Sequence, residues 1–396
     1  MLLFFVLFIF FVFHIQFLLK NIFWGVEDAK FFMFVMHYPF SHQVAIQSLW
    51  FVLACAGGFW IGYKLAYRFE RKSDLLDPTF DWRKWRYELR IFNIMGILMI
   101  SYIGIVGAIS GFSYGPMTMI KESYGFVFEL RMVYLLLLAH LLFNITWREF
   151  LKKPELKWSR IILVFYFIGL LLFQARSAIF ELAVCVLIPL LMWAGDKVRV
   201  KYILIILAML IIPNIIVLGR IGIPDDPYEL IDGLFSLEYT MILDKFLGAA
   251  IDTGFRAKEA LSFLPQIGLI LPSPIRNMLG IQATNTDFIL ELSESAEVFG
   301  GGFSLVAQMY SDFGWFAPIV FCLLGLFIGR MNYQATKVGQ VKLIYATAPL
   351  LYSMFILTFR NDFGVFIKYT IQLYVVAAIL NFLLKVRLKA KNGLKV

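Results

Sequence analysis

Residues 161–194, "IILVFYFIGLLLFQARSAIFELAVCVLIPLLMWA", are apolar almost throughout but hold Arg176 and Glu181 near the middle. As one helix the run would be far longer than the roughly 20 residues that cross a bilayer. It would also bury a charge at mid-membrane, at a cost on the order of 3 kcal/mol by insertion scales. Two helices over 160–175 and 177–194, joined by a very short turn, remove both difficulties. Arg176 then lies at the membrane surface, and Ser177 is placed to cap the second helix. Glu181, about one turn further in, either pairs with Arg176 or faces a polar cavity. An arginine reaching back to lipid headgroups is the plainer account of Arg176.

Composition fixes the class around this hairpin. The chain has 396 residues, 61% of them hydrophobic and 16% charged, with a mean hydropathy of +0.79. A water-soluble domain cannot hide that much apolar surface, so lipid must cover part of it. The expected fold is an all-α polytopic membrane protein. Its candidate spans are 2–19, 44–66, 89–110, 128–146, 160–175, 177–194, 202–219, 303–329, 343–359 and 367–384, about ten helices. The first has no basic flank or small-residue cleavage site and reads as a retained helix.

Sidedness follows from lysine and arginine. Segment 68–90, "RFERKSDLLDPTFDWRKWRYELR", is strongly basic and is assigned to the cytoplasm. Alternation then puts 147–160, 195–201, 330–342 and the tail "KVRLKAKNGLKV" on the same side, and each is basic. Both termini are expected to be cytoplasmic. The net charge of +9 is thus explained by cytoplasmic loops, and nucleic acid is not an expected partner. Cys55, Cys185 and Cys322 all lie in apolar segments, which argues against a disulfide framework.

Three regions result: an N-terminal bundle of about seven helices over 1–219, a large outer loop over 220–302, and about three helices with a basic tail over 303–396. A long loop in a chain that otherwise turns tightly is a place for function. It carries twelve acidic residues against Arg220, Lys245, Arg256, Lys258 and Arg276. Within it, 228–250 has helical spacing and reads either as a helix on the membrane surface or as one packed on the bundle. Asp287, Glu291, Glu294 and Glu297 precede Gly300, Gly301 and Gly302, after which a helix is expected to start. Arg360 and Asp362 occupy a second short outer turn, like that of Arg176. Arg176, Arg220, Arg276 and Arg360 share one side, and the guanidinium fork suits phosphate oxygens. The implied ligand is anionic and lipid-borne. No metal-ligand cluster, nucleotide loop or cofactor motif is visible. Gly58/Gly62, Gly107/Gly111 and Gly325/Gly329 have the spacing of close helix packing, and His140 reads as a packed polar residue.

The glycine-rich entry "GGGFSLVAQMYSDFGWFAPIVFCLLGLFIGR", the turn in "ARSAIFEL" and "FRND" near the end give the chain a pattern that resembles the oligosaccharide repeat-unit polymerases. These are the Wzy-type O-antigen or capsule polymerases of bacterial inner membranes. The resemblance covers about 160–375 and implies a GT-C-like fold whose large loop is periplasmic. It implies a metal-independent glycosyltransferase without cofactor, which moves a glycan from undecaprenyl pyrophosphate onto a second lipid-linked repeat unit. Donor and acceptor would both be undecaprenyl-pyrophosphate-linked glycans, and a chain-length regulator in the membrane would be a partner. Arg176 and Arg360 would hold pyrophosphate, with Arg220 and Arg276 beside them. Glu297, then Glu294 or Asp287, would be the base. None of the outer arginines has the glycine eleven residues on that some family members carry. An O-antigen ligase would use an outer histidine, but His14, His37, His42 and His140 all lie outside the large loop. A lipid-linked oligosaccharide flippase would show repeats and charges along a central path.

Overall fold

A computed structural model of the chain describes residues 41–68, 82–111, 125–145, 147–173, 176–193, 240–255, 304–337, 345–351 and 363–393, with isolated positions between them. Among these residues there is no strand. The helices are α1 (His42–Arg68), α2 (Trp82–Ser110), α3 (Gly125–Asn144), α4 (Trp147–Lys152), α5 (Lys157–Leu172), α6 (Arg176–Trp193), α7 (Thr240–Asp252), α8 (Leu305–Phe313), α9 (Ala317–Lys337) and α10 (Phe363–Gly393). Among the described residues, four stretches are long and apolar enough to cross a membrane: His42–Ala66, Trp85–Ile109, Leu305–Tyr333 and Phe366–Leu383. They coincide with four of the spans expected from the sequence. The described part is consistent with the all-α membrane class, while spans 2–19 and 202–219 lie largely outside it and 343–359 in part.

The arrangement of apolar side chains fits a lipid surrounding. On α2, Phe92, Met99, Ile103 and Val106 are buried at helical spacing, whereas Ile94, Ile97, Leu98, Ile105 and Ile109 are exposed. A soluble helix would carry charge on that second face. Here both faces are apolar, the pattern of a buried or membrane-spanning helix.

The chain divides into two compact units, each built from separate stretches of sequence. The first comprises Met1–Arg71, Leu210–Arg330 and Met354–Gln372. Within it the backbones of α1 and α9 approach closely at four glycines. A Cβ added to Gly58 would lie 2.2 Å from the Pro318 carbonyl oxygen, and one on Gly62 only 1.8 Å from that of Cys322. The approach is reciprocal: a Cβ on Gly325 would meet the Phe59 carbonyl oxygen at 2.1 Å, and one on Gly329 the Ala66 Cβ at 2.8 Å. Only glycine lets the two backbones come this close. Gly111 behaves otherwise. It has a φ of 76°, nothing lies within 4 Å of its would-be Cβ, and its N–H donates to the Gly107 carbonyl. It ends α2 as a left-handed cap, which corrects the packing role that spacing assigned to it.

In the same unit α7 packs on α8 and α1, burying Phe246, Leu247, Ala249 and Ala250. Over 240–252 the large loop is therefore a helix packed on the bundle. Span 303–329 is also not a single rod. Gly314 follows α8 with a φ of 58° and opens a 3-10 turn, Gly314–Phe316, before α9 starts at Ala317. Pro318 explains the break, because in a continuous helix its ring would clash with the carbonyl of residue 314.

The second unit comprises Lys72–Met209, Met331–Ser353 and Leu373–Val396. In it α2 packs on α5 and α3, and α6 packs on α3 and α5. α3 is buried from Tyr134 to Phe143, apolar there except for His140, as expected of a helix at the centre of a bundle. α5 ends at Leu172 and α6 begins at Arg176, so the tight hairpin read from residues 161–194 is observed. Ser177 falls inside the first turn of α6 rather than before it, and cannot occupy the capping position expected of it.

Candidate functional site

Among its described residues the second unit holds a buried ion pair and a part-buried histidine–carboxylate hydrogen bond, and α3 contributes to both. Near the start of α3, Arg131 Nη2 lies 3.2 Å from Glu181 Oε1 and 3.1 Å from Oε2 on α6. The two side chains are only 5% and 4% exposed. Near its end, His140 Nδ1 lies 3.0 Å from Glu88 Oε2 on α2, with the Trp85 ring against the imidazole at 4.5 Å between centroids. Arg131 and His140 are nine residues apart in the sequence, about 13 Å along the helix axis. One end of this four-helix packing therefore holds an ion pair and the other a histidine–carboxylate hydrogen bond.

The Arg131 layer adjoins the hairpin turn. Glu181 is five residues into α6 from Arg176, and the pair ties that helix start to α3. Two phenols complete the cluster. Tyr134 stands one turn along α3 from Arg131, and Tyr166 of α5 meets its ring edge-on at 5.1 Å. Phe92 stacks on the other side of Tyr134 at 4.7 Å. Tyr166 is in electrostatic reach of Arg131, Glu181 and Cys185. Both phenols are fully buried, and neither hydroxyl has a hydrogen-bond partner among the described residues. Uncompensated hydroxyls are costly in an apolar interior.

The opposite end of the unit is fastened by neutral and backbone contacts. Ser159 Oγ donates to Asn93 Oδ1 at 2.8 Å, and Asn144 Nδ2 donates to the His140 carbonyl at 2.7 Å. The Arg160 guanidinium donates to the carbonyls of Phe150 and Lys153, locking the bend between α3 and α5. His140 is thus a packed polar residue, as read from the sequence, with Glu88 as a partner.

In the first unit Ser304 caps α8, its hydroxyl accepting from Ala307 N–H at 3.1 Å. The helix expected after the glycine triplet therefore begins at Leu305. Gln308 of α8 is fully buried, and its Oε1 accepts the backbone N–H of Phe363, the first residue of α10, at 2.9 Å.

Of the residues the sequence singled out, Arg176 is the first residue of α6. Arg220, Arg276 and Arg360, together with Asp287, Glu294 and Glu297, lie outside the described residues, as do Gly300, Gly301 and Gly302. Arg131 was missed because it stands three residues inside an expected span and passes for a flanking charge. A usable signal was present: Arg131 and Glu181 sit at matching depth from the same end of their helices, and an intramembrane charge calls for a partner. No family model, no curated protein and no solved structure matches the chain.

Proposed function

We propose that this protein is a membrane glycosyltransferase that joins undecaprenyl-pyrophosphate-linked oligosaccharide repeat units into a surface polysaccharide on the periplasmic face of the inner membrane. The observation that carries this reading is the anchored start of α6. Arg176 opens that helix, and the buried Arg131–Glu181 pair fixes it to α3. A guanidinium on a fixed helix start, on the side where basic-loop alternation places the acidic loop, fits a pyrophosphate leaving group.

The proposed chemistry divides between arginines and a carboxylate. Arg176 and Arg360, with Arg220 and Arg276 as further contacts, hold the pyrophosphate and stabilise the charge it gains as the glycosidic bond breaks. Glu297, or else Glu294 or Asp287, takes the proton from the acceptor hydroxyl while the anomeric carbon develops positive character. Neither step requires a metal or a cofactor. Chain-length control belongs to a partner in the membrane.

Gene deletion followed by gel analysis of surface glycans tests the proposal. Polymerase loss leaves core plus a single repeat unit. Loss of every repeat from the core points instead to a ligase or a flippase. A lipid-linked oligosaccharide flippase is the second reading, favoured by the buried Arg131–Glu181 pair and the buried phenols of the second unit, since charges inside a bundle often mark a transport path.

A further inference from the structure

We infer that the Arg131 layer is a binding site for buried water, which bridges the Tyr134 and Tyr166 hydroxyls beside the Arg131–Glu181 pair. The site lies wholly within the second unit, among α3, α5 and α6, and is independent of the reaction the protein performs. Tyr134 and Tyr166 have no exposure, and neither hydroxyl meets a hydrogen-bond partner among the described residues. A dry hydroxyl in an apolar interior is costly, and phenylalanine would fill the same space without that cost. Two touching tyrosines, both in this state, point to a ligand they share.

The Tyr134 ring has no room to swing towards another side chain. Phe92 stacks on it at 4.7 Å with the planes 11° apart, and Tyr166 meets it edge-on at 5.1 Å. On the side of α2, a Cβ added to Gly96 would lie 2.9 Å from Tyr134 Cε2 and 2.3 Å from Ile162 Cγ2 of α5. Packing this close fixes where the hydroxyl sits. Water is the ligand whose chemistry fits. A buried water makes about two to four hydrogen bonds, and each phenol can both donate and accept. The two phenols are in electrostatic reach of each other, and Tyr166 is in reach of both members of the ion pair. A larger polar solute would need an opening, whereas Arg131, Glu181 and Cys185 are all buried with the phenols.

The test is X-ray footprinting of the purified full-length protein in mild detergent and heavy-oxygen water. Radiolysis of a bound water puts its oxygen onto the nearest aromatic ring. Tyr134 and Tyr166 should be modified severalfold faster than Phe59, which is equally buried but stacks on Phe355. In Tyr134→Phe combined with Tyr166→Phe, the rings at both positions should fall to the rate of Phe59. Thermal midpoints read the same site through the sign of a shift. Tyr134→Phe or Tyr166→Phe alone takes a partner from the water and should lower the midpoint, whereas loss of a dry hydroxyl raises it. The inference is overturned if Tyr134 and Tyr166 are modified no faster than Phe59, or if both single substitutions raise the midpoint. Should a variant fail to fold, the footprint of the parent protein decides alone.

Discussion

Removing one partner of the Arg131–Glu181 pair should destabilise the second unit far more than removing both. One guanidinium nitrogen lies 3.1 and 3.2 Å from the two carboxylate oxygens. At that distance and an effective dielectric of about 20 the attraction is about 5 kcal/mol. Desolvation of the two ions offsets much of it, so the pair contributes little net stability over apolar replacements. The asymmetry lies elsewhere. Glu181→Leu leaves a guanidinium buried without its carboxylate, which costs about 3–5 kcal/mol, whereas Arg131→Leu combined with Glu181→Leu should come within roughly 1 kcal/mol of the parent. The assay is the fraction of protein that stays monodisperse in mild detergent after a heating series, for the parent, both single variants and the double variant. Labelling of Arg176→Cys in each background reports whether the start of α6 has moved. A coupling energy near zero, or a double variant as unstable as the worse single one, would refute the claim that these two charges hold each other.

Further outcomes follow from the same geometry. Gly57→Ala should be harmless, since nothing lies within 4 Å of its added Cβ, and it should gain up to about 1 kcal/mol of helix propensity. Gly58→Ala and Gly62→Ala one helix face away should lower the yield of folded protein sharply, because their Cβ atoms meet backbone oxygens at 2.2 and 1.8 Å. Ser304→Ala removes the cap of α8 and should cost about 1 kcal/mol of thermal stability, with Ser304→Asp recovering part of it. Arg176→Lys and Arg360→Lys keep the charge but lose the fork, so each should give shorter or single-repeat polysaccharide at normal protein levels on glycan gels.

The outline of the fold was legible where a local rule settles the matter. The span 161–194 had to turn at Arg176 because neither its length nor its charge suits a single crossing, and α5 and α6 flank that turn. The basic segment 68–90 similarly marks a boundary between apolar helices. What depends on a partner distant in sequence was not legible. Glu181 announced a need for a counter-charge, but Arg131 stands 50 residues away, and proximity in sequence favoured Arg176. Glycine spacing was ambiguous in the same way. Gly58/Gly62 and Gly107/Gly111 share one pattern, yet the first pair admits a neighbouring backbone while Gly111 ends a helix. The Gln308–Phe363 contact joins residues 55 apart and has no signature in either motif. The break at Gly314 could have been read from Pro318, whose ring forbids a helical carbonyl four residues back. Of the proposed chemical groups, Arg176 alone falls on a described helix, and the loop carboxylates rest on the residue pattern alone.

Reconstitution addresses the central proposal most directly. The purified protein in vesicles, supplied only with undecaprenyl-pyrophosphate-linked repeat units, should yield lipid-linked chains of two or more repeats and release one undecaprenyl pyrophosphate for each linkage formed. Repeat units that stay single while the protein is folded, or that merely change leaflet, would contradict it.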